Sequence, residues 1–240
     1  MISIIIPTLN EERSLRETLA QFKKLTTIPF EIIVSDGGSQ DKTLEIAQEF
    51  DCKIVAYNGK KRQTIGQARN LGAEQASGEF FVFIDADIRI PKPNQFFREV
   101  LQAFKEDRAL TGATVHLRVE HQKETFSDRV LFILVNWVHG VRNNVLQFGS
   151  ASGEFQCVRA EAFRKIGGFN ESLVAYEDID LFERLANQGK TRLLPKQQVF
   201  HSGRRAHKIG HIKLVCIWLA NAIWFNLFRK SLSKEWTPIR

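Results

Sequence analysis

The 240 residues predict an α/β fold: a mostly parallel central sheet flanked by helices, followed by an apolar helical appendage at the carboxyl terminus. Three observations carry that expectation. Through the first four strand candidates, apolar β-branched runs alternate with amphipathic stretches, the signature of a parallel sheet. The runs are continuously apolar, as strands buried on both faces are. Acidic residues fall just past the ends of these runs, where parallel sheets bind ligands.

The elements follow in order. ISIIIP, Ile2 to Pro7, is the first strand. Asn10-Glu11-Glu12 leads into a helix whose Leu15, Leu19, Phe22 and Leu25 keep helical spacing. FEIIVS, Phe30 to Ser35, is the second strand, ended by Asp36-Gly37-Gly38, and Asp41 or Ser39 is expected to cap the helix through Leu44, Ile46 and Ala47. Lys53 to Ala56 is a short third strand. A polar loop, Asn58 to Thr64, precedes a helix from Ile65 to Ala76, and Phe80 to Ile84 is the fourth strand. Beyond it the pattern is less regular. Asn94 to Lys105 is helical, Ala113 to Glu120 strand-like, and Phe126 to Leu146 a long apolar helix or helix pair. Phe155 to Arg159 is a strand, and Ala160 to Ile166 a helix stopped by Gly167-Gly168. The next helix runs from Glu177 to Asn187, and Arg192 to Leu194 with Gln198 to His201 supplies the last strands. One catalytic domain over residues 1–205, with an extension over 206–240, is the simplest partition.

Composition is that of a soluble globular protein, at 43% hydrophobic and 25% charged residues. A formal charge of +7 points to anionic partners. Nucleotide phosphates and anionic lipid are the expected ones, and nucleic acid is not. The three cysteines, Cys52, Cys157 and Cys216, are odd in number and widely spaced, so they form neither a metal knuckle nor a disulfide framework. A reducing, cytoplasmic location follows, and the strand beginning at Ile2 leaves no room for a signal peptide. Against this stands LVCIWLANAIWFNLF, Leu214 to Phe228, flanked by Lys213 and Arg229-Lys230. It is shorter than the roughly 20 residues of a spanning helix. Its tryptophans and flanking cations suit a helix lying in a headgroup layer at the inner face of a membrane; a helix packed on the catalytic domain is the alternative. Val130 to Val138 could join it in one apolar patch.

Asp85-Ala-Asp87 carries the sharpest chemistry. In an extended segment residues i and i+2 point the same way, and Mg²⁺ is typically held by one or two carboxylates plus substrate phosphates. Alone a D-x-D is usually a surface turn; here it follows the FFVFI strand. Asp36 sits at the tip of the second strand and can accept hydrogen bonds from a base or ribose, or simply close a turn. Glu177-Asp178 opens a helix, where acids also complement the helix dipole. Gly153-Glu154-Phe155, Gly167-Gly168-Phe169 and Tyr176 surround it in sequence. Arg204, Arg205, His207, Lys208 and His211 form a basic cluster that could close over a diphosphate, touch anionic lipid or remain a solvated loop. Lys60-Lys61-Arg62 invites the same readings.

Together these segments resemble the inverting family-two glycosyltransferases with the GT-A fold, from Ile2 to about Gly203. The resemblance rests on IIIPTLNEE, EIIVSDGGSQDKT, ARNLGAEQASGEFFVFIDADIRIP, the GGF at 167–169, EDIDLFERL and His201. It implies that Pro7, Asn10 and Glu11 line a nucleotide pocket, that Asp36 contacts the base, and that Arg69 reaches the nucleotide or its phosphates. It implies a ribose contact for Asp85, a metal site of Asp87 and His201 for Mg²⁺ or Mn²⁺, and a general base in Asp178. Arg204 is expected at the diphosphate, and Gly153, Glu154 and Glu177 at the acceptor.

The expected reaction is transfer of a sugar from a nucleotide diphosphate, UDP foremost, to an acceptor hydroxyl with inversion. The acceptor is a glycan or a lipid-linked molecule. A polyprenyl-phosphate glycosyltransferase is the nearest alternative: its acceptor needs no strong base, so the E-D pair speaks against it. A nucleotidylyltransferase would carry a glycine-rich phosphate loop where this chain has PTLNEE. A non-catalytic sugar-nucleotide binding module would have no use for a base.

Overall fold

The computed structural model describes residues 1–59, 61–233 and 235. Lys60 of the basic tripeptide, and Lys234 and residues 236–240 of the extension, lie outside them. Seven strands form one sheet in the order β3-β2-β1-β4-β6-β5-β7: β1 (Ile2–Thr8), β2 (Phe30–Asp36), β3 (Lys53–Ala56), β4 (Phe80–Ile84), β5 (Leu110–Val119), β6 (Phe155–Arg159) and β7 (Lys190–His201). Pairing is parallel among β1, β2, β3 and β4 and between β5 and β7, whereas β6 runs against both neighbours. The sheet is mostly parallel, as the sequence predicts.

Nine helices cover it among the described residues: α1 (Leu15–Ala20), α2 (Thr43–Glu49), α3 (Ile65–Glu74), α4 (Pro93–Glu106), α5 (Phe126–Gly140), α6 (Ala160–Lys165), α7 (Glu177–Ala186), α8 (Arg204–Ile209) and α9 (His211–Phe228). Side chains of a strand alternate between its faces, and β1 shows what that does. Ile2, Ile4 and Ile6 enter one core with Leu15, Phe22, Phe97 and Phe104 of the α1 and α4 side. Ile5 enters the other, with Phe81, Phe83, Phe163 and Leu181 of the α6 and α7 side. Full burial of each such side chain contributes roughly 1.5–3 kcal/mol, so the continuous apolar runs are what a two-sided sheet requires.

Two local expectations change, at α2 and β7, and a third resolves to one of its two alternatives. Neither Asp41 nor Ser39 occupies the N-cap of α2; Lys42 does. Asp41 still accepts the Thr43 N–H at 3.0 Å, while the Ser39 hydroxyl turns to Asp36. The long apolar stretch is one helix, α5, continued by a π-turn over Val141–Val145. β7 is one strand, with a register shift opposite Val115 and His116 where the sequence suggests two pieces.

The antiparallel β6 has a functional consequence. Ile84 at the carboxyl end of β4 faces Phe155 at the amino end of β6. A reversed strand therefore brings Gly153-Glu154 to the edge where the parallel strands deliver Asp36 and Asp85. At the same edge His201 closes β7 opposite Val119 of β5.

The extension is not a core helix. Only Leu214, Asn221 and Phe225 of α9 are buried, while Ile212 is 83% and Leu227 70% exposed. By length and composition α9 is long and apolar enough to cross a membrane. It is tied back to the loop before α7. Phe225 lies against Tyr176 at 4.8 Å between ring centroids, and the Ser231 hydroxyl donates to the Ala175 carbonyl at 2.8 Å.

Candidate functional site

The carboxyl edge of the sheet opens into a cavity of about 770 Å³. Pro7 and Glu11 from the β1 loop, and Asp85 and Asp87 after β4, stand on its wall. So do Gly153 and Glu154 before β6, Glu177 and Asp178 at the start of α7, and His201 and Arg204 after β7. Residues spread over nearly the whole chain thus share one space.

Arg69 of α3 organises it. The residue is 1% exposed. Its guanidinium donates to Asp85 at 3.0 Å, to Glu177 at 3.1 Å and to the Gly153 carbonyl at 3.0 Å. It also lies 5.3 Å from the centre of the Phe169 ring. Arginine's planar fork suits such multiple pairing. The sequence expectation sends Arg69 to the nucleotide; in the structure it locks the D-x-D segment, the β6 loop and α7 together. Gly153 must lack a side chain for this, because a Cβ there would meet Arg69 Nη2 at 2.5 Å. Asn70, a residue the sequence reading passed over, continues the bracing. Its amide donates to the Phe169 carbonyl at 2.9 Å and accepts the Phe169 N–H at 2.8 Å. That pins the GGF turn, where Gly168 has a φ of +72° that glycine adopts without strain.

Arg204 builds the opposite wall. It holds Glu11 through both oxygens, at 2.8 and 2.9 Å, and reaches Asp87 at 3.4 Å. Ser202, also missed from sequence, donates its hydroxyl to Asp87. Bidentate arginine–carboxylate pairing fixes geometry as well as charge, so Arg204 binds the β1 loop to the carboxyl end of β7.

Two nucleotide-site expectations land elsewhere. Asp36, 1% exposed, accepts from the Thr8 hydroxyl at 2.9 Å and from the N–H groups of Gly38 and Ser39 at 2.9 and 2.7 Å. Its carboxylate is turned into its own loop, and Gly37 takes the place on the cavity wall. Asn10, in the left-handed region at φ 56°, accepts the Gln40 N–H at 2.8 Å and so staples the β1 and β2 loops to each other. His207 and His211 turn away too. Their Nε2 atoms meet Asp128 at 2.7 and 2.8 Å, tying α8 and α9 to α5. Burial pushes the Asp128 pKa up, but hydrogen bonds from Thr125 and both imidazoles outweigh it and hold the carboxyl below its usual range.

The acids on the cavity wall behave in the opposite way. Burial pushes Glu154 up to about 8, with Asp85 adding repulsion. Glu177 is pushed up to about 8 by burial and by Asp178, against the pull of Arg69. Asp178 is also raised, burial outweighing Arg69 and the Ile179 N–H that it accepts at 2.8 Å. Tyr176, at φ 75°, introduces α7 in a conformation costing roughly 1–3 kcal/mol, and that turn directs Glu177 and Asp178 inward.

The residues also fit a divalent cation. His201 is 8% exposed, and among the described residues its Nε2 is buried without a hydrogen-bond partner. Nδ1 accepts the Gly203 N–H at 3.2 Å. Ligation through Nε2 would place the ring proton on Nδ1 and give up that long contact. Asp87 supplies the carboxylate on the same wall.

Two measurements check this electrostatic picture. A carboxyl whose folded pKa lies above its unfolded value stabilises the fold below the unfolded pKa and loses that contribution as pH rises through the folded one. Buried His139, lowered to about 4 by burial, works the other way, but only below its ordinary 6.5. Between 6.5 and about 8, therefore, the melting temperature should fall as pH rises, and Glu154→Gln should flatten that fall. An unchanged slope in the variant would refute the assignment. Arg69→Met should cost roughly 3–5 kcal/mol in urea unfolding, as breaking a buried pair does. The loss should be greater at high pH, where Asp85 and Glu177 are left ionised. A cost below about 1 kcal/mol, the worth of a surface pair, would show that Arg69 organises nothing.

Comparison with known proteins agrees with this geometry. The family model described as glycosyl transferase family 2 matches residues 3–167. An uncharacterized glycosyltransferase of Haemophilus influenzae is 22% identical over 199 residues, 78% of this chain and 63% of its own. A dolichol-phosphate mannosyltransferase of Pyrococcus furiosus is 34% identical over 107 residues, 43% of this chain and 30% of its own. The chain thus spans less than two thirds of the length of these relatives. The structure of the mannosyltransferase PcManGT from Pyrobaculum calidifontis, in complex with GDP-Man and Mn²⁺, has a similar fold. Its TM-score is 0.70 at 19% identity, over 97% of this chain and 65% of that one. A mostly parallel sheet of GT-A form and a family match over more than half of the sequence lead to one conclusion: the chain belongs to glycosyl transferase family 2.

Proposed function

We propose that the protein transfers a sugar from a nucleoside diphosphate donor, UDP being the expected nucleotide, to an acceptor hydroxyl with inversion at the anomeric carbon. One observation carries this reading. Asp87 and His201 stand on one wall of the cavity, and Glu154, Glu177 and Asp178 line the same space. Mg²⁺ or Mn²⁺ would be held by Asp87 and His201, in keeping with the Mn²⁺ bound to PcManGT. When bound, the cation supplies Lewis acidity that stabilises charge on the departing diphosphate.

This chain's own residues do the rest. Arg204 and Ser202 hold the Asp87 carboxylate in place. Arg69 fixes Asp85 and Glu177, which leaves Asp178 as the acid of the pair available to take a proton. A base works best with a pKa near the working pH, and the raised Asp178 moves toward it. Attack by the acceptor oxygen on the face opposite the leaving diphosphate inverts the anomeric carbon.

The polyprenyl-phosphate reading has support in the mannosyltransferase of P. furiosus. Arg69 is already paired with Asp85 and Glu177, so a phosphate beside the acid pair would be desolvated without its counter-charge, and a hydroxyl acceptor is favoured. Membrane contact belongs to the proposal as well. Phe126, Ile133 and Trp137 of α5, together with Ile212, Leu219, Ile223 and Leu227 of α9, all lie more than half exposed, beside the cations Lys208, Lys213 and Arg229. Such a surface suits the inner face of an anionic membrane. On this partition residues 1–205 catalyse and 206–240 attach.

Asp178→Asn should lower the transfer rate by roughly 10²–10⁴-fold while leaving nucleotide affinity intact, because the carboxamide keeps the shape without the basicity. Transfer within a few-fold of wild type would exclude Asp178 as the base. Donor choice is read by screening UDP- and GDP-sugars for hydrolysis with Mn²⁺. In UDP titrations, Asp87→Ala should abolish the enhancement by Mn²⁺ and Asp85→Ala should retain it. Equal enhancement in wild type and Asp87→Ala would put the metal elsewhere.

A further inference from the structure

The cavity does not end at the carboxylates. It continues without a break between α5 and α9, where Leu134, Val135 and Val138 face Val215, Trp218 and Leu219. About 70% of a typical ligand must be buried for firm small-molecule binding, and a hydrophilic sugar acceptor gains nothing from such walls. The two helices are anchored to the catalytic machinery at this place. Phe132 of α5 lies 4.6 Å from the His201 ring, and Phe225 of α9 stacks on Tyr176, next to Glu177. The groove therefore leads to the acid pair instead of running past it.

The other end of the cavity has a charge that selects a head group. Glu154, Glu177 and Asp178 face it. Arg69 is committed to Asp85 and Glu177, and Arg142 to Glu183 at 2.8 Å. His139 bonds Ser150 and Ser152 at 2.7 and 2.9 Å, and burial holds it neutral. Burial keeps Glu154 and Glu177 largely protonated at neutral pH, so a phosphate placed there would be desolvated beside Asp178 with no counter-charge from Arg69, Arg142 or His139. A hydroxyl there has an acceptor for its proton.

We propose that the acceptor is an amphiphile, with an uncharged hydroxylated head at Asp178 and an apolar chain lying in the groove between α5 and α9. This names the acceptor class of the site and rests on the reading of Asp178 as the acceptor-side base. The apolar surface of α5 and α9 gains a second purpose from it: the same helices that meet a membrane wall the path by which a chain leaves it for the active site.

The test uses the full chain, without donor sugar, and alkyl glucosides carrying brominated octyl, decyl or dodecyl chains below their micelle concentrations. Bromine quenches nearby tryptophan, and Trp218 lines the groove. Affinity should rise roughly two- to fourfold per methylene, the value of burying one. The saturable quenching should vanish in Trp218→Phe, and Leu134→Asp should weaken binding while UDP–Mn²⁺ affinity stays unchanged. A dodecyl phosphate should bind at least about tenfold more weakly than the matching glucoside, since its charge must be desolvated beside carboxyls. Affinity independent of chain length would overturn the groove. So would quenching that survives undiminished in Trp218→Phe, because it would come from the other three tryptophans, Trp137, Trp224 and Trp236. Tighter binding of the phosphate, through Arg62 or Arg205 on the cavity wall, would overturn the head-group assignment. UDP–Mn²⁺ binding measured in the same samples separates the two readings. Its absence in wild type would sink the donor site, while the quenching still judges the groove.

Discussion

Arg69 decides how the catalytic edge is assembled. Its side chain leaves α3, passes beneath the cavity and binds the Asp85 carboxylate, the Glu177 carboxylate and the Gly153 carbonyl. Without a central cation these groups would repel one another in a space with little water. Burying a charge is costly unless it is paired and hydrogen-bonded, and here one guanidinium satisfies three segments simultaneously. The glycine at 153 and the Asn70 brace on the GGF turn make sense only in relation to it. Site geometry and stability are therefore coupled at one residue.

That arrangement also sorts the carboxylates by role. Glu177 is tied to the arginine and becomes part of the frame. Asp85 is likewise held. Asp178, its immediate neighbour, makes no ion pair with an arginine among the described residues, and burial keeps its pKa raised against the pull of Arg69. Asp87 belongs to a different unit, bound by Ser202 and Arg204, and shares the cavity wall with His201, whose Nε2 has no partner among the described residues. Two arginines thus hold four of the acids in two pairs, Asp85 with Glu177 on Arg69 and Glu11 with Asp87 on Arg204. The division follows from which strand end or helix start each acid occupies.

The carboxyl-terminal extension has a double attachment. Asp128 grips His207 and His211 at one end of α9, and Ser231 and Phe225 engage the loop before α7 at the other. Between these points α9 exposes much of its apolar surface. A helix held at both ends by polar and aromatic contacts, with its middle left uncovered, is positioned to form a wall. It places apolar residues on the wall of the same cavity as the acid pair, where the proposed acceptor would arrive.

Local pattern made much of the frame legible. A strand buried on both faces must be continuously apolar, so β1, β2 and β4 stand out in the sequence, and a parallel sheet must gather ligand groups at its carboxyl edge. The D-x-D segment and the E-D pair could be assigned to that edge from their places after a strand and at a helix start, and His201 through the family resemblance. What the sequence by itself determined was thus which chain segments reach the site, although Asp36 and Asn10 within them do not line it. Tertiary structure alone decided what each does there, because a side chain's partner is set by distances in space. Arg69 faces acids from residues 85 and 177, Asp36 folds into its own loop, and His207 and His211 find Asp128, about 80 positions away along the chain. No periodicity records such meetings; they appear only when the sheet order has placed its strands, with β6 reversed.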